Sequence, residues 1–350
     1  MDIYPFPPRL AQNPYLDDLY GALPPEFRVD RRSPRRSWWR MLFGGGSRVL
    51  HLHFYDALVQ HPQRLVCLMR AWGWVLLLWC CRLCGVSIIW TAHNLTPHEC
   101  FHPDIAAWTT ARVIGVCAAV ITHQHTTKAS LRERHPRHDL RIVVIPHGHR
   151  PEPFGPLPSR SAARAALGLD PERPILLFLG LIRRYKGLET LIDAMELLPH
   201  ALLIVAGHPS DRRYLSEIHQ RSARRVNISL HPHYVTDHEA AQRLAAADAL
   251  VLPYSAITTS GMLVAAQAAG VCCIVPNVPT VTETVRDGVN GFVYRSGDAA
   301  SLASAVERLL THPDRTAVAA AARATQAPHT WPVVADAHAA LYRRLGEHSR

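Results

Sequence analysis

Short apolar runs alternating with helix-length stretches constrain this chain more than any other feature. From residue 175 onward the runs ILLFL, LLIVA, ISLH, ALVLP and VCCIV recur, separated by turn residues and by segments with helical spacing over 188–198, 213–221, 236–246, 260–269 and 301–310. Runs that are apolar at consecutive positions are buried on both faces. That is the condition of a parallel sheet covered by helices. The spacing therefore predicts a doubly wound, Rossmann-like α/β domain, with ligands beyond the carboxyl ends of its strands. A short strand at 291–294 and a final helix over 331–347 complete this half.

The first half is less regular but parses the same way. Asn13 and Pro14 open a helix through Leu23, with Asn13 as its cap. Strands are expected at 49–53, 86–91 and 141–145, and helices at 65–84 and 106–120. Six prolines between residues 150 and 174 mark a linker with a short helix at 161–167. The expected division is 1–150, 151–328 and a C-terminal helix 329–350 returning to the first domain.

With 350 residues and 48% hydrophobic content, the chain is long and apolar enough for two cores, which excludes a disordered protein. Residues 1–10 lack the basic-then-apolar order of a signal peptide, so a cytoplasmic location is expected. The eight cysteines include Cys81-x-x-Cys84 but no second pair at zinc spacing; buried free thiols are the expectation. The net charge of +10 concentrates in RRSPRRSWWR at 31–40. This segment is either a solvated loop or a contact with an anionic membrane surface, with Trp38 and Trp39 at the interface. No nucleic-acid-binding motif accompanies it. The 65–84 helix is interrupted by Arg70 and Arg82, so it reads as a core helix or an interfacial one rather than a membrane span.

Chemistry is expected at strand ends. The loop Gly180–Gly187 carries Arg183, Arg184 and Lys186 between a strand and a helix, a setting suited to phosphate. The turn at Ser260-Gly261 is a second such strand-to-helix junction, whose hydroxyls either cap the helix or hold a phosphate or ribose. In the first half, His51 and His53 share one strand face. His93, His98 and Glu99 crowd the next strand end. Glu99, Asp56 or a histidine is the candidate base. No D-x-D pair occurs, so a metal-bound diphosphate is not expected, and no cofactor is.

The strings FLGLIRRYKGLETLIDAMELL, ALLIVAGHPSD, ALVLPY and DGVNGFVYRSGDAASLASAVERLL resemble the nucleotide-sugar domain of group 1 glycosyltransferases. NPYLDDLYGALP, VLHLHF, TAHNLTPHE and IPHGH narrow the resemblance to bacterial GDP-mannose:glycolipid β-mannosyltransferases. It implies the GT-B fold, two Rossmann-like domains facing across a cleft. It also implies a metal-independent, membrane-associated hexosyltransferase acting on a glycan or polyprenyl-linked acceptor. It places Gly180, Arg183, Lys186, Gly207, Tyr254, Ser260 and Gly261 at the donor, His93, Glu99 and His53 at the chemistry, and Asn13, Tyr15 and Asn94 on the acceptor side. The two glutamates usual in group 1 enzymes fall on Ile257 and Ala265 here, and the usual Gly-Arg of the phosphate loop is Gly180-Leu181. The alternatives are a nucleotide-sugar epimerase or phosphorylase on the same fold, or a catalytically inactive partner subunit.

Overall fold

The computed structural model describes residues 1–10, 13–32, 34–95, 100–136 and 140–347, without the side chains of 34–37. The chain divides into two compact units, 1–148 with 331–350, and 149–330.

The first unit holds six parallel strands: β1 (Asp2–Phe6), β2 (Arg28–Val29), β3 (Arg48–Leu52), β4 (Ser87–Thr91), β5 (Ala119–Thr122) and β6 (Ile142–Val144). Their order is β2-β1-β3-β4-β5-β6. The chain leaves β1 in one direction to form β2 and returns on its other side as β3. The carboxyl ends of β1 and β3 thus flank the crevice of this sheet. The helix Trp331–Glu347 comes back from the far end of the sequence and buries Trp331, Val334, Leu341 and Tyr342 against this unit.

The second unit holds β7 (Ile175–Leu179), β8 (Leu202–Ala206), β9 (Ile228–His231), β10 (Ala249–Val251), β11 (Cys273–Pro276) and β12 (Phe292–Tyr294). The order is β12-β11-β10-β7-β8-β9, again all parallel, with the reversal between β7 and β10. Every residue of β7 is buried, as the unbroken apolar run requires. Helix ends are set by local chemistry: Thr236 and Glu239 form a capping box, and Ser260, Asp298 and Asp314 cap their helices.

Several sequence expectations change. The helix expected at 106–120 is two elements, a helix Pro103–Val116 and the strand β5, because Ala119-Val-Ile-Thr continues the apolar run with no breaker to mark the join. The helix after Asn13 begins at Tyr15, and Asn13 Oδ1 accepts from the Tyr15 N–H at 3.0 Å from outside it. The arginine-tryptophan segment contains a helix, Pro34–Phe43. The proline-rich stretch is no free linker. It packs into the second unit through Arg164, 2% exposed, whose guanidinium donates to the Ala246, Asp170 and Arg173 carbonyls and to Asp248 at 2.9 Å. All eight cysteines are free thiols.

Candidate active site

At the carboxyl edge of the second sheet, the loops after β7 and β10 meet. The Gly180 N–H donates to Ala206 O at 3.0 Å, and the Ile182 N–H to His208 O at 2.9 Å. A Cβ on Gly207 would stand 1.7 Å from Gly180 O, so these backbones touch only because glycine lacks one. Arg184–Lys186 make a single tight turn closed by Gly187 at φ +62°, where a side chain would also strike Pro253 O. Gly187 thus serves backbone packing. The Ser255 N–H donates to Tyr185 O at 3.0 Å, fastening the two loops.

The three cations of this turn have different surroundings. Arg184 is turned to Glu217 at 2.7 Å and lies over the Tyr214 ring. Lys186 donates to Tyr254 Oη at 3.2 Å, its ammonium 4.9 Å from that ring's centre. Arg183 Nε donates to Ser210 Oγ at 2.8 Å. Among the described residues, neither Arg183 nor Lys186 has a carboxylate within 4.0 Å, although both are half-buried. Two cations held by neutral groups keep their charge for an anion. The Ser260 hydroxyl accepts from the Leu263 N–H at 3.1 Å, capping Gly261–Ala268, and Ile257 packs against the core. Sequence reasoning passed over Ser210, although the string GHPS after β8 places it one loop from Arg183.

The first unit gathers histidines at its own strand ends. His123 Nδ1 lies 2.9 Å from Ile145 O, a carbonyl, so this nitrogen carries the proton. His123 Nε2 then accepts from His93 Nδ1 at 3.3 Å, and His93 Nε2 accepts from His53 Nδ1 at 3.2 Å. His53 Nε2 accepts from the Tyr20 hydroxyl at 2.7 Å. His51 meets Tyr20, Tyr342 and Thr91 at 2.9, 2.7 and 2.8 Å. One anchored tautomer thereby determines the next along the row. Burial pushes His51, His53 and His93 far below the usual imidazole range, His123 down to about 3 and His338 down to about 4, with neighbouring histidines adding to the effect on the first four. The row is therefore neutral at pH 7.

Both ring nitrogens of His53 and of His93 are thus engaged, and His93 is 8% exposed. His93 reaches a ligand only by releasing one of these bonds. Tyr15 stands edge-on to His93 at 4.7 Å between ring centres and to Trp331 at 5.1 Å. Asn13 is exposed and Asn94 half-buried. Asp56, half-buried, has its carboxyl pushed up to about 6 by desolvation. His98 and Glu99 lie outside the described residues. Sequence reasoning missed His123, because β5 was hidden in a helix; Tyr20, because its partners His51 and His53 lie about thirty positions away on another element; and Tyr342 and His338, because nothing local pairs residues some 290 positions apart.

Residues 159–326 match the family Glycosyl transferases group 1. Two relatives are GDP-mannose:glycolipid 4-beta-D-mannosyltransferases of Xanthomonas campestris pv. campestris. One is 28% identical over 340 residues, covering 96% of this chain and 89% of the relative. The other is 30% identical over 261 residues, covering 74% and 68%. Among solved structures, Anabaena HepE in complex with UDP-glucose superposes with a TM-score of 0.75 at 15% identity, covering 98% of this chain and 99% of that one. Sucrose-phosphate synthase from Thermosynechococcus elongatus gives 0.73 at 20%, covering 89% and 77%. The two doubly wound sheets are the GT-B fold, and the chain belongs to the group 1 glycosyltransferases.

Proposed function

We propose that this protein transfers a hexose, with mannose from GDP-mannose as the first candidate, to a glycan or lipid-linked saccharide at a membrane surface. The observation that carries the donor half is the pair Arg183 and Lys186. These are half-buried cations without carboxylate partners among the described residues, placed where the sheet order reverses. A departing nucleoside diphosphate needs that charge as its bond to the sugar breaks. The relatives named for GDP-mannose, and the neighbour solved with UDP-glucose, support a nucleotide-sugar donor. Gly180, Gly207, Tyr254, Ser260 and Gly261 shape that donor site.

The acceptor belongs to the first unit, beside Asn13, Tyr15 and Asn94. His53 and His93 form its supporting row, and Glu99 is the base to test. Membrane contact, and with it a peripheral place at the inner face of the plasma membrane, is supported by the helix Arg64–Leu83. One face of it, with Cys67, Ala71, Trp74, Val75, Leu78 and Cys81, is buried. The other exposes Leu65, Met69, Trp72, Leu76, Trp79 and Leu83. Two of the arginines in the 31–40 segment are less available for such a contact than their number suggests: Arg31 is bound to Asp17 and Arg32 to Asp30.

The test is GDP titration by calorimetry in EDTA. Lys186→Ala is expected to weaken binding at least tenfold, about 1.4 kcal/mol. Unchanged affinity in a folded variant, or binding that requires magnesium or manganese, refutes the corresponding part. Transfer to a lipid acceptor, rather than conversion of the sugar nucleotide alone, separates a transferase from an epimerase.

A further inference from the structure

The first unit contains a cavity of about 340 Å³ lined by Arg9, Arg28, Val29, Asp30, Arg31 and Arg32. Its volume falls within the range of small-molecule sites, about 300–1,000 Å³. Arg9 follows β1 and Arg28–Arg32 run along and beyond β2, so the cavity opens at one edge of the sheet. Four arginines and one acidic residue, Asp30, line the cavity. That carboxylate, Asp30, is already engaged by Arg32 at 2.5 and 2.9 Å, and Arg31 is held by Asp17 and the Leu16 carbonyl. Arg28 has only a 3.9 Å approach to Asp2, and Arg9 has no hydrogen bond or ion pair among the described residues. Two arginines with donors to spare, converging on a cavity, suit an oxyanion carrying more than one charge.

The neighbouring surface narrows the ligand further. A crevice of about 30 Å³ shares Asp30 and Arg32 with the cavity and is lined by Phe6, Trp38, Met41 and Leu50. Trp38 lies on the helix Pro34–Phe43, which exposes the stacked pair Trp39 and Phe43, 74% and 67% accessible. A basic cavity running into an apolar wall suits a molecule with a phosphate head and an apolar chain. We propose that this cavity binds the diphosphate of a lipid-linked molecule, with the first carbons of its chain along Trp38. The proposal rests on the reading of the first unit as the acceptor side at a membrane. It adds the site that holds the anchor rather than the sugar.

The probes are farnesyl diphosphate, inorganic pyrophosphate, phosphatidylglycerol vesicles and GDP, titrated into the full chain. Farnesyl diphosphate is expected to bind wild type more tightly than pyrophosphate does. It should bind the double variant Arg9→Glu, Arg28→Glu at least tenfold more weakly, with GDP affinity unchanged. Equal farnesyl diphosphate affinity in the two proteins overturns the proposal. So does a loss confined to the vesicles, which would make the arginines a general anionic-surface contact. If the charge reversal lowers GDP affinity as well, the neutral pair Arg9→Gln, Arg28→Gln decides on the same criteria. Failure of wild type to bind GDP counts against the donor reading alone.

Discussion

Acid should unfold the first unit before the second. His51, His53, His93, His123 and His338 are buried there as neutral rings, with pKa values pushed below 6.5; those of His123 and His338 are about 3 and about 4. In the unfolded chain each titrates near 6.5. The unfolded state therefore binds more protons, and stability falls as pH drops below 6.5, continuing until the folded-state values are reached. At pH 5 each ring contributes a loss of roughly 2 kcal/mol, about 10 kcal/mol for five independent rings. Asp56 acts oppositely: its carboxyl, raised to about 6, takes up a proton in the folded state and returns roughly 1 kcal/mol. The histidines dominate, and their loss is comparable with the whole stability of an ordinary domain, about 5–15 kcal/mol. All eight tryptophans lie in the first unit, so their fluorescence reports this unit alone. Urea unfolding followed by tryptophan emission should show midpoints falling steeply from pH 7 to pH 5, with uptake of about four protons per molecule near pH 5.5. Uptake below one proton would refute the neutral buried row.

Two further outcomes follow from other parts of the molecule. Wild type should sediment with phosphatidylglycerol vesicles, and Leu76→Ser with Trp79→Ser should release most of it without changing GDP affinity. Wild type remaining in the supernatant refutes the membrane-facing role of that helix face. Arg164→Met should cost about 3 kcal/mol in thermal or urea unfolding of the second unit, since removing one partner of a buried pair strands the other. Arg160 at 2.6 Å and Arg315 at 3.1 Å remain on Asp248 and keep the loss at that lower end; a change below about 1 kcal/mol would show the Arg164 contacts to be dispensable.

Local pattern alone was enough for most of the second unit. Most of its strands are unbroken apolar runs, most of its helices begin at Ser, Thr or Asp caps, and Gly187 and Gly207 stand where backbones touch, so most elements announce themselves within ten residues. The loop from Gly180 to Gly187 could be read as basic. That Arg184 is occupied by Glu217 while Arg183 and Lys186 are not depends on a helix thirty residues away. The proline-rich stretch looked like a linker because the partners of Arg164 include Ala246 and Asp248, far along the chain. In the first unit, His51 and His53 were visible as a pair on one strand face. Their row with His93 and His123 required β3, β4 and β5 to lie side by side, and its closure by Tyr342 required the last helix to return. Periodicity and capping act over a few residues, so they are written in the sequence. Which buried ring donates to which, and which arginine is left with donors to spare, is decided by strand order and by contacts between distant segments, which only the tertiary fold brings together.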